Sequence, residues 1–338
     1  MINPNILLIL AGLAFQESPS NPQRHTFASQ QMGATCKVVL FGSEAPACKQ
    51  AAQAAFDRIA ELNNIMSDYD AQSELRKLCA QAGEGPVKVS KDLLTVLVRS
   101  QEIFQLSDGG FDPTISPVIK LWRRARKSIQ LPDAEELRGA LALVGFQKVE
   151  IDKGKGTVRL ALKGMQIDLG GIAKGYAADE ALKVLQAKGF ASALVVLGGD
   201  IAVGAPPPKE KGWKIGIAPV LEEGDASDRY LVLSHCAVST SGDTEQYVEI
   251  AGKRYSHLVD PKTGIGLTRR VAATVVARRG IDADALTKVA CILPPEISLK
   301  KIALVPGASC RITYLAEKGL ELIESPGFPP LQGKKAGK

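Results

Sequence analysis

The sequence predicts an α+β fold: one compact mixed-sheet unit with two lobes around a cleft. Three observations point there. Segments with 3.6-residue apolar spacing are interspersed with short apolar strands. The regular strand–helix–strand alternation that builds a parallel sheet is absent. The second half of the chain is dominated by strands.

Taken in order, Thr35 to Phe41 reads as the first strand. Ala51 to Met66 carries apolar residues at 56, 59, 62 and 66, one face of a helix. Lys91 to Leu106 is a second helix, opened by Ser90 as N-cap. Pro132-Asp133 opens a third, to about Leu143. Short strands follow at Lys148–Asp152, Thr157–Leu162 and Met165–Asp168, the first two joined as a hairpin through Gly154-Lys-Gly156. A helix from Gly175 to Lys188 leads into a buried strand, Ala193–Leu197. Strands are then expected at Trp213–Ala218, Tyr230–Leu233, Ala237–Thr240, Gln246–Ile250, Arg254–Leu258 and Val271–Ala277. A helix from Asp282 to Leu293 and two terminal strands complete the pattern. The domain is expected over 30–325, after a leader-like segment and linker at 1–29 and before a basic, flexible tail at 326–338.

Composition narrows the function. The 338 residues are 45% hydrophobic, enough for a large core, and the net charge of +6 is a mild excess of 42 basic over 36 acidic residues. Aromatics are 5%, with no basic stripe interleaved with them, so a stacking platform for nucleic acid is not expected. The densest basic cluster, Arg123, Arg124, Arg126 and Lys127, reads as a solvated helix end. Six scattered cysteines without a Cys-x-x-Cys pair argue against zinc and against a thioredoxin-like site, and read as buried thiols. The apolar run at 6–15 is too short to span a bilayer and is followed by a polar stretch, as in a secretory leader, although no Lys or Arg precedes it. An exported, periplasmic protein is the expectation.

The most informative segment is Asp168-Leu-Gly-Gly-Ile-Ala-Lys-Gly-Tyr-Ala-Ala-Asp179. It places Gly170, Gly171, Lys174 and Gly175 between a strand and a helix. A helix N-terminus offers unpaired N–H groups and partial positive charge, and Lys174 adds a full charge. A phosphate or pyrophosphate is the natural guest; an ordinary tight turn is the plain alternative. Five further polar islands stand beside apolar elements: Met66 to Leu75, Gly109 to Pro117, Leu197 to Ile201, Ser239 to Asp243 and His257 to Gly264. Singly, each could be a turn.

Together and in this order they resemble the FAD:protein FMN transferase family, known as the ApbE family, from about Met32 to about Leu293. The resemblance implies an FAD-binding cleft, a bridging divalent metal (usually magnesium), and transfer of FMN to a Ser or Thr hydroxyl of an acceptor protein with release of AMP. Such an acceptor would present its hydroxyl in a small-residue loop, with a membrane-associated redox complex as a candidate. Position by position, it implies FAD contacts at Met32, Tyr69, Gly110, Phe111, Asp112 and Asp168, with Lys174 at the phosphates. His257, Asp260 and Thr263 match the histidine segment beside the flavin, and a neutral imidazole there could take or orient the acceptor's proton. The implied metal ligands are Asp284 and the backbone carbonyl of Gly171. The family's Thr, four residues after the Asp, is Lys288 here. A protonated lysine has no lone pair to offer; it would pair with Asp284 in the metal's place, or reach a phosphate as a point charge. Thr287 lies about 100° round the helix from that position. Cys79 stands where the family usually has Asn. Transfer of FMN, with Asp284, Lys288 and His257 carrying it, is the first reading. Hydrolysis of FAD to FMN and AMP, or flavin binding without turnover, are its rivals.

Overall fold

Residues 21–217, 229–242 and 247–333 are described by the structure, a computed structural model. The chain enters through a hairpin, β1 (Gln23–Gln31) and β2 (Ala34–Gly42), paired along its whole length. Its two-residue turn has positive φ at both Met32 (48°) and Gly33 (73°), the geometry that matches strand twist. This strand overturns the expectation of a linker up to residue 29: β1 is polar and lies at the sheet edge, so no core periodicity announces it.

α1 (Ala45–Met66) buries Phe56, Ile59, Leu62 and Met66 on one face. α2 (Glu74–Ala80) is a short helix capped by Ser73, whose hydroxyl accepts from the Arg76 amide. After β3 (Val87–Lys88) comes α3 (Lys91–Leu106), where Ser90 caps as expected. A short 3-10 turn (Pro113–Ile115) runs into α4 (Ser116–Ser128), and Asp133 caps α5 (Ala134–Ala142). β4 (Val149–Asp152) and β5 (Thr157–Leu160) form the expected hairpin and add β3 to make a small sheet. The expected strand at 165–168 has no ladder. Its apolar residues are buried, yet the Asp168 amide donates to the Pro113 carbonyl (2.8 Å) and the Ile167 amide to the Cys79 thiol (3.4 Å).

α6 (Ala173–Ala187), β6 (Ala193–Leu197), β7 (Asp200–Val203), β8 (Trp213–Gly216), β9 (Tyr230–Leu233) and β10 (Cys236–Gly242) follow. Then come β11 (Tyr247–Ile250), β12 (Lys253–Ser256), β13 (Val271–Ala277), α7 (Gly280–Ile292), α8 (Pro295–Ile302), β14 (Ser309–Ala316) and β15 (Gly319–Glu324). The main sheet has eight strands in the order β1-β2-β6-β7-β10-β13-β14-β15. The class is α+β as expected; within the sheets, every described pairing is antiparallel.

Three apolar clusters hold the molecule. The largest lies between the sheet and the layer of α1, α6 and α7. On the other face, Trp213, Ile215, Leu231 and Leu233 of the β8–β9 hairpin cover Val39, Leu194, Val203, Val238 and Val276. All seven residues of β13 are therefore buried, which is why it reads as an apolar run broken only by Thr274. The third cluster joins α4 and α5 to the β11–β12 hairpin through Trp122, which is 5.2 Å centroid to centroid from Tyr255. The expected loose tail is fixed at its start: Phe328 and Leu331 pack on the second cluster, and Gln332 pairs with Tyr230. The apolar run at 6–15, the ends of two expected strands at Ala218 and Gln246, Asp243 of the fourth polar island, and residues 334–338 of the expected tail lie outside the described residues.

Candidate active site

The register brings several turns to one end of the sheet. Leu197 faces Asp200 across the β6–β7 turn, Asp200 faces Ser239 on β10, and Cys36 faces Leu197. The Met32 turn, Gly198-Gly199, and the Ser239-Thr-Ser241 stretch thus meet there. Across from them stand the N-terminal halves of α6 and α7. These helices cross so closely that a Cβ on Gly175 would lie 2.1 Å from the Gly280 carbonyl oxygen and 2.7 Å from Asp284 Cβ. Only glycine permits that approach. The crossing is also tied electrostatically: both Asp179 oxygens, one turn further along the same face of α6, accept amides at the start of α7, from Gly280 (2.6 Å) and Ile281 (3.0 Å).

The crossing delivers Asp284, fully buried, to the first turn of α6, where Gly175 N–H donates to Oδ2 at 3.0 Å. Oδ1 accepts Lys288 Nζ at 2.5 Å. The same ammonium donates to Ser241 Oγ (3.0 Å) and reaches Thr287 Oγ1 (3.1 Å). Thr287 is itself buried, donating to the Asp284 carbonyl (2.7 Å) and paired with Ser241 (2.8 Å). Lys174 Nζ pairs with Asp200 Oδ2 at 3.0 Å, and Ser239 donates to Oδ1 at 2.6 Å. Two carboxylates and two ammonium groups form one buried set. Burial works against the charge on Asp284, but Lys174, Lys288 and the Gly175 amide together hold its carboxyl below the usual range. Asp284 in turn raises the Lys174 ammonium, against the cost of burial. Burial and the Asp284 charge push Asp200 up.

The glycine-rich turn joins this set to a second one. A Cβ on Gly171 would touch both Lys288 and Phe111, each at 3.4 Å. Two residues before Gly170, Asp168 accepts from Gly170 N–H (2.8 Å) and from Arg123 (3.0 Å). Arg123 also pairs with Asp68 (2.7 Å) and stacks on the Tyr69 ring, 4.4 Å from its centroid. Tyr69 is 80% exposed, an aromatic face held open beside the charge cluster. Burial and the neighbouring Asp68 push the Asp168 carboxyl up, opposed by Gly170 N–H and Arg123.

Seven of the residues singled out in the sequence therefore form one continuous path: Tyr69, Asp168, Gly171, Phe111, Lys288, Asp284 and Lys174. Gly110 adjoins Phe111 and backs onto Leu293. Met32 packs at the same sheet end, in its positive-φ turn. Asp112 faces inward: its oxygens cap Thr114 and accept the Phe146 amide (3.2 Å), and burial raises its pKa against those bonds. Asp260 and Thr263 fasten the turn after His257 through the Lys262 (2.9 Å) and Ile265 (3.3 Å) amides. That turn is clamped to α4 by Trp122, whose indole N–H donates to the Gly264 carbonyl at 2.7 Å.

Two findings depart from expectation. Arg123 is no solvated helix end; its guanidinium organises Asp68, Asp168 and Tyr69. The anion cradle of the glycine turn is also partly filled from within, since Gly170 and Gly175 spend their amides on Asp168 and Asp284. A phosphate arriving here meets the ammonium groups of Lys174 and Lys288 first. Asp200, Ser239 and Ser241 complete the site; they lie in islands the sequence marks, without any residue pattern that assigns them a role.

The implied magnesium does not fit this set. Mg²⁺ requires near-octahedral oxygen ligands, and both oxygens of Asp284 already accept donors, one from a cation. No group of three or more His, Cys, Asp or Glu side chains able to hold a metal occurs among the described residues.

The ApbE family pattern matches residues 32–311. The chain is 32% identical to the FAD:protein FMN transferase of Treponema pallidum over 91% of its length and 90% of the relative. It is 30% identical to that of Vibrio cholerae over 97% of both. The ApbE flavin transferase structure from Vibrio cholerae superposes with a TM-score of 0.80 over 91% of this chain and 98% of that one, at 23% identity, a likeness of fold. The ApbE protein of Thermotoga maritima superposes with a TM-score of 0.79 at 28% identity, over 90% and 97%. With the family pattern matched over residues 32–311 and relatives 30–32% identical over most of its length, the chain belongs to the ApbE family.

Proposed function

We propose that this protein transfers the FMN half of FAD to a Ser or Thr hydroxyl of an acceptor protein and releases AMP. The observation that carries this reading is the continuous path from the exposed Tyr69 ring through Arg123, Asp168 and Gly171 to the Lys174 and Lys288 ammonium groups. An aromatic face at one end and fixed cations at the other match a flavin joined to a diphosphate. Phosphoryl transfer needs little covalent help from protein; positioning and charge neutralisation dominate.

In the step itself, the acceptor oxygen attacks the phosphorus of the FMN half and forms a new O–P bond. The P–O bond to the AMP phosphate breaks, and AMP leaves with the electron pair. His257, which precedes the Asp260–Gly264 turn, takes or orients the hydroxyl proton in this reading. Lys174 and Lys288 offset charge on the phosphates. Water in place of the hydroxyl would give hydrolysis, so specificity rests on the acceptor loop, whose small residues let a Ser or Thr enter. The pairing of Lys288 with Asp284 favours one second reading, flavin binding without turnover, because a single charge neutralises a diphosphate less well than a divalent ion. The apolar run at 6–15 and the polar stretch after it support action outside the cytoplasm. Titration with FAD, FMN and NAD tests the ligand class: FAD should bind most tightly, and equal or tighter binding of NAD would remove the flavin reading.

A further inference from the structure

The geometry points to Lys288 as a built-in replacement for the divalent metal: its ammonium is the resident cation of the Asp284 site, and a dinucleotide diphosphate binds there without Mg²⁺. This inference rests on the proposed reading of the site as an FAD site and deepens it.

Three observations carry it. The ammonium is 2.5 Å from Asp284 Oδ1 and also bonded to Ser241 and Thr287, so three oxygens that could face a cation already face this one. The other Asp284 oxygen accepts the Gly175 amide, so each oxygen of the carboxylate already takes a donor and an incoming metal would compete with both. The lysine stem packs against Gly171, the residue whose carbonyl is the other implied metal ligand. A Cβ on that glycine would stand 3.4 Å from both Cγ and Cε of Lys288. The side chain is 14% exposed, with its stem against Gly171 and its head on Asp284, Ser241 and Thr287. The groups around it balance: Asp284 and Asp200 carry two negative charges, and Lys174 and Lys288 two positive ones. A divalent ion entering would have to displace a cation from a fully buried carboxylate and leave that cation beside itself, which like-charge repulsion opposes.

The test uses the protein with Mn²⁺ alone, read by the free-ion paramagnetic resonance signal, and with FAD in Mg²⁺ or in EDTA, read by flavin fluorescence. Wild type should leave the Mn²⁺ signal unchanged, and its FAD affinity should differ by less than about twofold between Mg²⁺ and EDTA. Lys288→Thr should take up Mn²⁺ and bind FAD at least about tenfold more tightly with Mg²⁺ than with EDTA. Lys288→Arg keeps a cation and should stay indifferent to metal, so it preserves the test if the Thr variant does not fold. Stoichiometric Mn²⁺ uptake by wild type, or an FAD affinity that collapses in EDTA, would overturn the inference. If wild type binds no FAD under either condition, the flavin reading fails, and the Mn²⁺ measurement on the protein alone still decides the role of Lys288.

Discussion

Gly175→Ala should be among the most damaging single-methyl additions in this protein. The new Cβ would sit 2.1 Å from the Gly280 carbonyl oxygen, 2.5 Å from its carbon and 2.7 Å from Asp284 Cβ. None of these is the loose end of a side chain, so α6 and α7 must part by roughly an ångström to restore ordinary contact. Overpacking of this kind costs about 1–3 kcal/mol. Parting the helices also stretches the Gly175 N–H bond to the Asp284 carboxylate, a charged hydrogen bond worth about 1.5–3 kcal/mol. Better helix propensity returns about 1 kcal/mol. The expected net loss is about 1.5–5 kcal/mol. The same substitution at Gly139, inside α5 with nothing within 4 Å of a new Cβ, meets no neighbour and should stabilise by up to about 1 kcal/mol. Urea denaturation of both variants reads the difference directly. If Gly175→Ala unfolds at the same urea concentration as wild type, the close crossing that presents Asp284 is not tight, and the site is not assembled in this way.

Two further outcomes follow from the charge clusters. Arg123→Met frees Asp68 and Asp168 to repel each other and removes the support under Tyr69; FAD affinity should fall about tenfold by equilibrium titration. Arg124→Met, whose partner Glu136 is exposed like Arg124 itself, should change nothing, and equal losses in both would point to general charge rather than to Arg123. Burial pushes the Asp179 carboxyl up to about 6, with the Gly280 and Ile281 amides working against it. Its unfolded value is about 3.9, so the folded state holds this proton more tightly. The stability it contributes is complete below about pH 4 and is lost as pH rises through about 6, at most about 3 kcal/mol and less for the solvent contact it keeps. Asp179→Asn should flatten stability across that window in denaturant titrations at several pH values; an unchanged slope would assign the effect elsewhere.

The elements that proved legible are those whose burial leaves a period. α3 and the strands at 193–197, 230–233 and 271–277 lie where the pattern puts them, because each buries a continuous face or run. β1 escaped because an edge strand with polar residues on both sides has no apolar period to show. Residues 165–168 misled for the opposite reason: Met165 and Ile167 are buried at alternate positions, but the amides of Ile167 and Asp168 are satisfied by a thiol and a carbonyl rather than by a neighbouring strand. At the site, the glycine turn and Asp284 were visible as motifs. Arg123 was not, since a helix-end arginine looks the same whether it faces water or two carboxylates brought from 55 and 45 residues away. The Lys288–Asp284 pair was legible because it needs only helical spacing, four residues on one face.

The most direct test of FMN transfer follows both halves of FAD. The protein is incubated with FAD and an extracytoplasmic protein fraction; denaturing gels then read covalent flavin fluorescence and chromatography reads AMP. Transfer predicts flavin attached to an acceptor at Ser or Thr, with AMP formed in equal amount and only when acceptor is present. AMP released without any flavin on protein, or no AMP at all while FAD remains bound, would contradict it.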